Sequence, residues 1–231
     1  MKVLAIDTSN YVMGIAILDG ADVVGEVITN LKKNHSIRVM PAIHQLLQEC
    51  DIKPNELEKI VVAHGPGSYT GVRIGVTIAK TLAWSLKIPL VGVSSLEVLA
   101  ANGHYFQGNL SPIFDARRGQ VYTGLYAYEE GQFFSKKNDR IVLLVDWLKE
   151  LKEENQKVLF LGNDLAIHKE TIQEELEDLA IFAPSGLNNP RPSELAILGV
   201  TREEEEDIHS FVPNYIRMVE AETNWIASQN K

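Results

Sequence analysis

Three features of this 231-residue chain have residue types and spacing suited to chemistry. The first is the block Gly65-Pro66-Gly67-Ser68-Tyr69-Thr70-Gly71-Val72-Arg73-Ile74-Gly75, set between an apolar run and a helical pattern. Backbone N–H groups in such a place can hold phosphate. The block departs from both common phosphate patterns, because Thr70 stands where the dinucleotide motif needs glycine and Val72-Arg73 follows Gly71 where a P-loop needs Lys-Ser/Thr. Its glycines suit a tight turn with positive φ and close packing equally well. The second feature is a pair of acids, Asp7 and Asp115, each closing an apolar run. They could face each other across a cleft and hold a magnesium nucleotide, or each could simply open a turn. The third is Arg117-Arg118, able to grip an anion or to sit exposed in a turn.

Other chemistry is disfavoured. His35, His44, His64, His104, His168 and His209 are scattered, with no two of them four residues apart, and Cys50 is the one cysteine. That argues against a local metal site and excludes an intrachain disulfide. No serine lies in a Gly-x-Ser-x-Gly elbow. A net charge of -9 argues against a broad surface for nucleic-acid backbones. No apolar run nears the roughly 20 residues that span a bilayer. Asp7 interrupts the opening apolar stretch where a signal peptide would continue. A cytoplasmic protein with no membrane partner is expected.

The elements that must position these residues follow from periodicity. Val3–Asp7, Met13–Leu18 and Val23–Thr29 read as a β-meander with a hairpin signal at Asp19-Gly20. A helix over Ser36–Glu49, bent by Pro41, comes next, then a strand over Lys59–Ala63, the glycine block, a helix over Val72–Leu86, a strand over Pro89–Val93 and a helical piece over Leu96–Ala101. Near residue 111 the pattern restarts: Ser111–Asp115, Val121–Tyr128 and the turn Glu130-Gly131 mirror the opening, a weak internal repeat. Further elements are expected at Ile141–Lys152, Val158–Leu161, Lys169–Leu179, Ala180–Ala183 and Ser193–Val200, and 202–207 reads as a solvated charge run. The alternation points to two α/β lobes. In the second helix Gly71, Gly75, Ala79 and Ala83 form a smooth stripe, while Ile74, Ile78, Leu82 and Leu86 form a bulky one. In the first, Ile37, Met40, Ile43 and Leu47 are aligned. Helices apolar on more than one side are buried on more than one side, either in the chain's own core or against another subunit.

Leu4-Ala5-Ile6-Asp7-Thr8-Ser9, the block His64–Gly75, Asp115-Ala116-Arg117-Arg118-Gly119-Gln120-Val121-Tyr122 and the tail Pro213-Asn214-Tyr215-Ile216-Arg217 with Ala221-Glu222 together resemble the TsaB (YeaZ) family. The resemblance implies an actin-like ATPase (ASKHA) fold of two ribonuclease-H-like lobes, here 1–103 and 104–231, with mixed sheets flanked by helices. The C-terminal helical segment is allowed to pack back on the first lobe. It also implies a non-catalytic subunit in forming N6-threonylcarbamoyladenosine at position 37 of tRNAs that read A-starting codons. Such a subunit binds a TsaD-type catalytic paralogue, helps recruit a TsaE-type ATPase, forms a homodimer in isolation and meets tRNA only indirectly. The paralogue's His-x-x-x-His metal pair falls in register on Ser95 and Leu99, which cannot replace it. No cofactor is expected on this chain, ATP and metal belonging to the partner subunits. The implied partner interface is Ile37, Met40, Ile43, His44, Leu47, Val72, Gly75, Val76, Ala79 and Ala83, so that Gly75→Leu or Ala79→Glu should break pairing and spare the fold. Asp7, Thr8, Ser9, Gly65, Gly67 and Asp115 would be a vestigial nucleotide or phosphate site, and the second lobe offers only Gly162 where nucleotide-binding relatives place a glycine pair. The alternatives are a free-standing actin-like kinase or carbamoyltransferase, and a metallopeptidase.

Overall fold

The computed structural model describes residues 1–205 and 207–216, so Arg217, Ala221 and Glu222 of the tail lie outside the described residues. The chain builds one sheet, repeats the plan, and returns to cover the first. β1 (Lys2–Asp7), β2 (Val12–Asp19) and β3 (Asp22–Asn30) form the expected antiparallel meander. β4 (Lys59–Ala63) and β5 (Leu90–Val93) add in parallel, giving the order β3-β2-β1-β4-β5. β1, β2 and β4 are buried on both faces, which is why they read as continuous apolar runs. α1 (Val39–Glu49) and α2 (Tyr69–Leu86) join β3 to β4 and β4 to β5, and α3 (Ser95–Ala101) follows β5.

The second half repeats this order element by element. β6 (Asn109–Pro112) and β7 (Phe114–Asp115) both pair antiparallel with β8 (Gln120–Glu129) and together stand where β1 stands. β9 (Gln132–Leu143), α4 (Leu144–Glu154), β10 (Val158–Leu161), α5 (Leu165–Leu176), β11 (Ala180–Phe182) and α6 (Pro192–Val200) then match β3 through α3. The weak repeat in sequence is thus a complete repeat in topology. Its core gathers on Trp147, whose Nε1 donates to Ser111 Oγ at 2.9 Å, giving a buried indole its hydrogen-bond partner.

α6 packs back on β1, β2 and β4 of the first sheet, with Leu195 and Ala196 wholly buried there. The close fit depends on Gly199, where a Cβ would come 2.3 Å from the Val61 side chain. The run 202–207 faces solvent as expected, with Arg202, Glu203, Glu204 and Asp207 exposed, and it is also anchored to the first sheet and α3. Glu204 pairs at 3.2 Å with Lys59, which is 5% exposed, Arg202 pairs with Glu97, and Glu205 N–H donates to Leu90 O at 2.9 Å. Glu206 lies outside the described residues. Phe211 then enters the core of the first sheet, and Lys80 Nζ donates to His209 O and Phe211 O.

Pro41 costs its helix no backbone hydrogen bond. A 3-10 turn over His35–Ile37 precedes α1, so Pro41 is the third residue of the α-helix. There its missing N–H is one the helix could not have bonded. α2 begins earlier than periodicity suggested because Ser68 caps it, its Oγ accepting from Gly71 N at 3.3 Å.

Candidate functional site

The glycine block lies against the turn between β1 and β2. Ser68 N–H donates to Ser9 O at 2.7 Å. A Cβ on Gly67 would sit 2.2 Å from Ser9 O, one on Gly71 2.2 Å from Thr8 O, and one on Gly75 2.6 Å from Thr8 Oγ1. Thr8 Oγ1 itself donates to Gly71 O at 2.7 Å. The glycines are there because two stretches of the same chain pass closer than any side chain permits. This corrects the stripe reading: Gly71 and Gly75 admit Thr8 of the chain's own β1–β2 turn, and Ala79 and Ala83 are wholly buried in the chain's own core.

The implied interface residues therefore divide. Ile43, Leu47, Val72, Gly75, Val76, Ala79 and Ala83 are buried inside the single chain, most of them in the core cluster between α1, α2 and the first sheet. Ile37, Met40 and His44 are not, Ile37 being 72% and Met40 43% exposed. Between Ser36 and the α2 residues Tyr69, Thr70, Arg73, Ile74, Thr77 and Ile78 runs an open groove of about 390 Å³. Arg73 Nη1 donates to Tyr69 Oη at 2.7 Å with its guanidinium 5.1 Å above that ring, and Tyr215 lies tilted against Tyr69 with ring centroids 5.3 Å apart. The grouping of Tyr69, Arg73 and Tyr215 was not read from the sequence, because nothing in local spacing links position 215 to 69. The surviving surface is an apolar and aromatic ridge on the outer side of α1 and α2, of the kind that marks interaction sites.

Within the set Asp7, Thr8, Ser9, Gly65, Gly67 and Asp115, Ser9 meets Gly67, while Gly65 faces the tail and Asp115 pairs with a histidine of the second half. Asp7, Thr8 and Ser9 are 2%, 1% and 0% exposed. Asp7 Oδ1 accepts from Ser9 N at 2.8 Å, while Oδ2 has no partner among the described residues. Burial pushes the Asp7 carboxyl above the usual carboxylate range, opposed by its hydrogen bonds from Ser9 and by His35. A Cβ on Gly65 would lie 2.8 Å from Asn214 O, so that glycine serves the returning tail. Asp115 answers to other residues: its Oδ1 meets His168 Nε2 at 3.1 Å, and its N–H donates to Asp164 Oδ2 at 2.9 Å. The backbone donor that could receive a phosphate thus already holds a carboxylate, and Gly162 has Ile113 O 2.3 Å from where its Cβ would be. Asp7 is thus enclosed, and Asp115 is held by a histidine of its own half. His168 and Asp164 were invisible as partners of Asp115, lying about fifty residues downstream with no shared motif. Arg117 and Arg118 are exposed in the turn after β7, both at positive φ.

Asp7→Asn provides a test of the enclosure. A carboxyl whose folded pKa is raised binds a proton in the folded state over pH values where the unfolded chain has lost it. Stability due to Asp7 is therefore highest in acid and falls as pH rises through the folded pKa. The asparagine chain should lose that component and be more stable than the parent at pH 7, as urea unfolding across pH 4–8 would show.

Where the resemblance places a metal pair, the structure has committed both residues elsewhere. Ser95 Oγ accepts from Gly65 N at 3.1 Å, and Leu99 is wholly buried in the cluster joining α3 to the second sheet. Among the described residues no three of His, Cys, Asp and Glu gather as a ligand set.

Two like halves, each a five-position mixed sheet with a meander and alternating helices, define an actin-like ATPase fold. ROK hexokinase from Thermus thermophilus superimposes with a TM-score of 0.50 at 12% identity, over 87% of this chain and 99% of its own. YeaZ from Pseudomonas aeruginosa superimposes more closely, with a TM-score of 0.76 at 23% identity over 93% of this chain and 99% of its own. In sequence, the family model described as TsaD, tRNA N6-adenosine threonylcarbamoyltransferase, matches residues 22–225. The tRNA threonylcarbamoyladenosine biosynthesis protein TsaB of Bacillus subtilis (strain 168) is 59% identical over 229 residues, covering 99% of this chain and 100% of that protein. Its namesake from Escherichia coli (strain K12) is 30% identical over 145 residues, 62% of each chain. The chain belongs to the TsaB family.

Proposed function

We propose that this chain is the non-catalytic partner subunit in forming N6-threonylcarbamoyladenosine at position 37 of tRNAs that read A-starting codons. It binds and stabilises a TsaD-type catalytic paralogue and helps recruit a TsaE-type ATPase. The observation that carries the reading is the fate of Ser95 and Leu99, one tied to the glycine block and one sunk in the core, where a catalytic subunit would present imidazoles. The outer ridge of α1 and α2, with Ile37, Met40 and Tyr69 exposed, supplies the docking face, and it serves a homodimer when the paralogue is absent. The buried part of the two helices holds that ridge rigid. ATP and metal sit on the partner subunits, and tRNA is met indirectly, consistent with a net charge of -9. Among the described residues no helix is long and apolar enough to cross a membrane, which suits work in the cytoplasm.

A free-standing kinase would need Asp7 and Asp115 open to one magnesium nucleotide, and the first is enclosed while the second is held by His168. Reconstitution is the test. Paralogue, ATPase, ATP, threonylcarbamoyl-AMP and tRNA should give modified adenosine only when this chain is added, and this chain with tRNA and threonylcarbamoyl-AMP should give none. Modification by the lone chain at an enzyme's pace would overturn the reading.

A further inference from the structure

The two serines that open α3, Ser94 and Ser95, tie that helix to both halves of the chain. Ser95 is tied to the glycine block twice: its Oγ accepts from Gly65 N at 3.1 Å and its N–H donates to Gly65 O at 3.0 Å. Ser94 caps the helix, Oγ accepting from Leu96 N at 3.2 Å and Glu97 N at 3.3 Å, and the same hydroxyl donates to Asp139 Oδ2. Tyr126 Oη donates to the other carboxylate oxygen, Oδ1. Asp139 lies on β9, in the second sheet, so one carboxylate joins the helix after β5 to the far half of the molecule.

The second half is shaped to deliver that carboxylate. Thr123 pairs with Arg140 and Leu125 with Lys137, so Asn138 and Asp139 together oppose Gly124. That is a β-bulge, a device that re-aims a side chain. Gly124 makes room for it, since a Cβ there would lie 2.8 Å from Asp139 Oδ1. Around the bulge sit His64 from the end of β4 and Glu97 of α3 paired with Arg202 after α6. Elements of both sheets thus converge on one part-buried polar cluster in which both Asp139 carboxylate oxygens are hydrogen-bonded.

We propose that Ser94, Ser95, Asp139 and Tyr126 form a latch that sets the position of the second sheet relative to the glycine block and α2. Through it, whatever docks on the outer ridge is held at a fixed distance from the exposed turn of Arg117 and Arg118. Apolar contact of Leu96 and Leu99 with Leu110 and Phe114 joins the halves without direction. The latch adds the direction.

The test uses the full chain with Cys50→Ser and spin labels on cysteines replacing Glu49 and Lys149, exposed positions on α1 and α4, diluted into a large excess of unlabelled Cys50→Ser chain so that only distances within one chain are read. Pulsed electron paramagnetic resonance should give one narrow distance for the intact latch. Asp139→Ala should broaden and shift that distribution, and Tyr126→Phe, which removes a single hydroxyl from an otherwise unchanged ring, should broaden it less. If Asp139→Ala does not fold, Tyr126→Phe and Ser94→Ala decide the matter. Distributions identical to the parent's in the folded variants would overturn the proposal, and they would do so whether or not the ridge is a docking face.

Discussion

Gly75→Leu will strongly destabilise the fold of the isolated chain, not merely its pairing. The Cβ alone would stand 2.6 Å from Thr8 Oγ1 and 3.7 Å from Val62, both on the first sheet or its turn. Thr8 cannot yield cheaply, because its hydroxyl is bonded to Gly71 O and it is 1% exposed. α2 cannot move outward without pulling Val72, Val76, Ala79 and Ala83 from the core. Overpacking a dense interior costs about 1–3 kcal/mol even where side chains can shift, and here rigid groups receive the clash. The expected loss is at least ~3 kcal/mol, a large share of the ~5–15 kcal/mol that holds a domain together. Urea unfolding followed by circular dichroism checks it, and a stability equal to the parent's would mean that the close approach of α2 to Thr8 is wrong.

Ile37→Glu combined with Met40→Glu should behave in the opposite way. Both side chains are exposed in the single chain, so the thermal midpoint should stay close to the parent's, since surface changes are usually worth within about 0.5 kcal/mol. Self-association should be lost. Anchors at the centre of an interface carry about 2 kcal/mol or more each, and two buried carboxylates without partners add a desolvation penalty. Sedimentation velocity should show the parent as a dimer at micromolar concentration and the double variant as a monomer. A dimer undisturbed by both charges would move the contact away from this ridge.

Much of the fold was legible because the first sheet is covered on both faces. Val3–Ile6 and Lys59–Ala63 are unbroken buried runs bounded by polar residues, and such runs read as strands without reference to their neighbours. The repeat was faint in residues because only the acid at a strand end and a glycine turn recur, while the topology needs no particular residues to recur. Long-range polar pairing was not legible. Nothing near Asp139 announces Ser94, 45 residues away, nor does anything near Asp115 announce His168.

The site reading failed at one definite step. Helical spacing shows that Gly71, Gly75, Ala79 and Ala83 share a face, and that a backbone can come close to it. It does not show whose backbone, and at Gly71 and Gly75 Thr8 of the same chain takes the place. Conversely, exposure of Ile37 and Met40 could not be read from a stripe they share with the buried Ile43 and Leu47. The 3-10 turn over His35–Ile37 breaks the helical register there and turns Ile37 outward.

The docking claim is most directly tested by calorimetric titration of the TsaD-type paralogue into this chain and into the Ile37→Glu/Met40→Glu variant. The parent should bind with saturating heat and the folded variant should bind at least ~100-fold more weakly, the equivalent of about 2.7 kcal/mol. Equal affinity for both chains, or no binding by the parent, would contradict the assignment of the α1–α2 ridge as the face that holds the catalytic subunit.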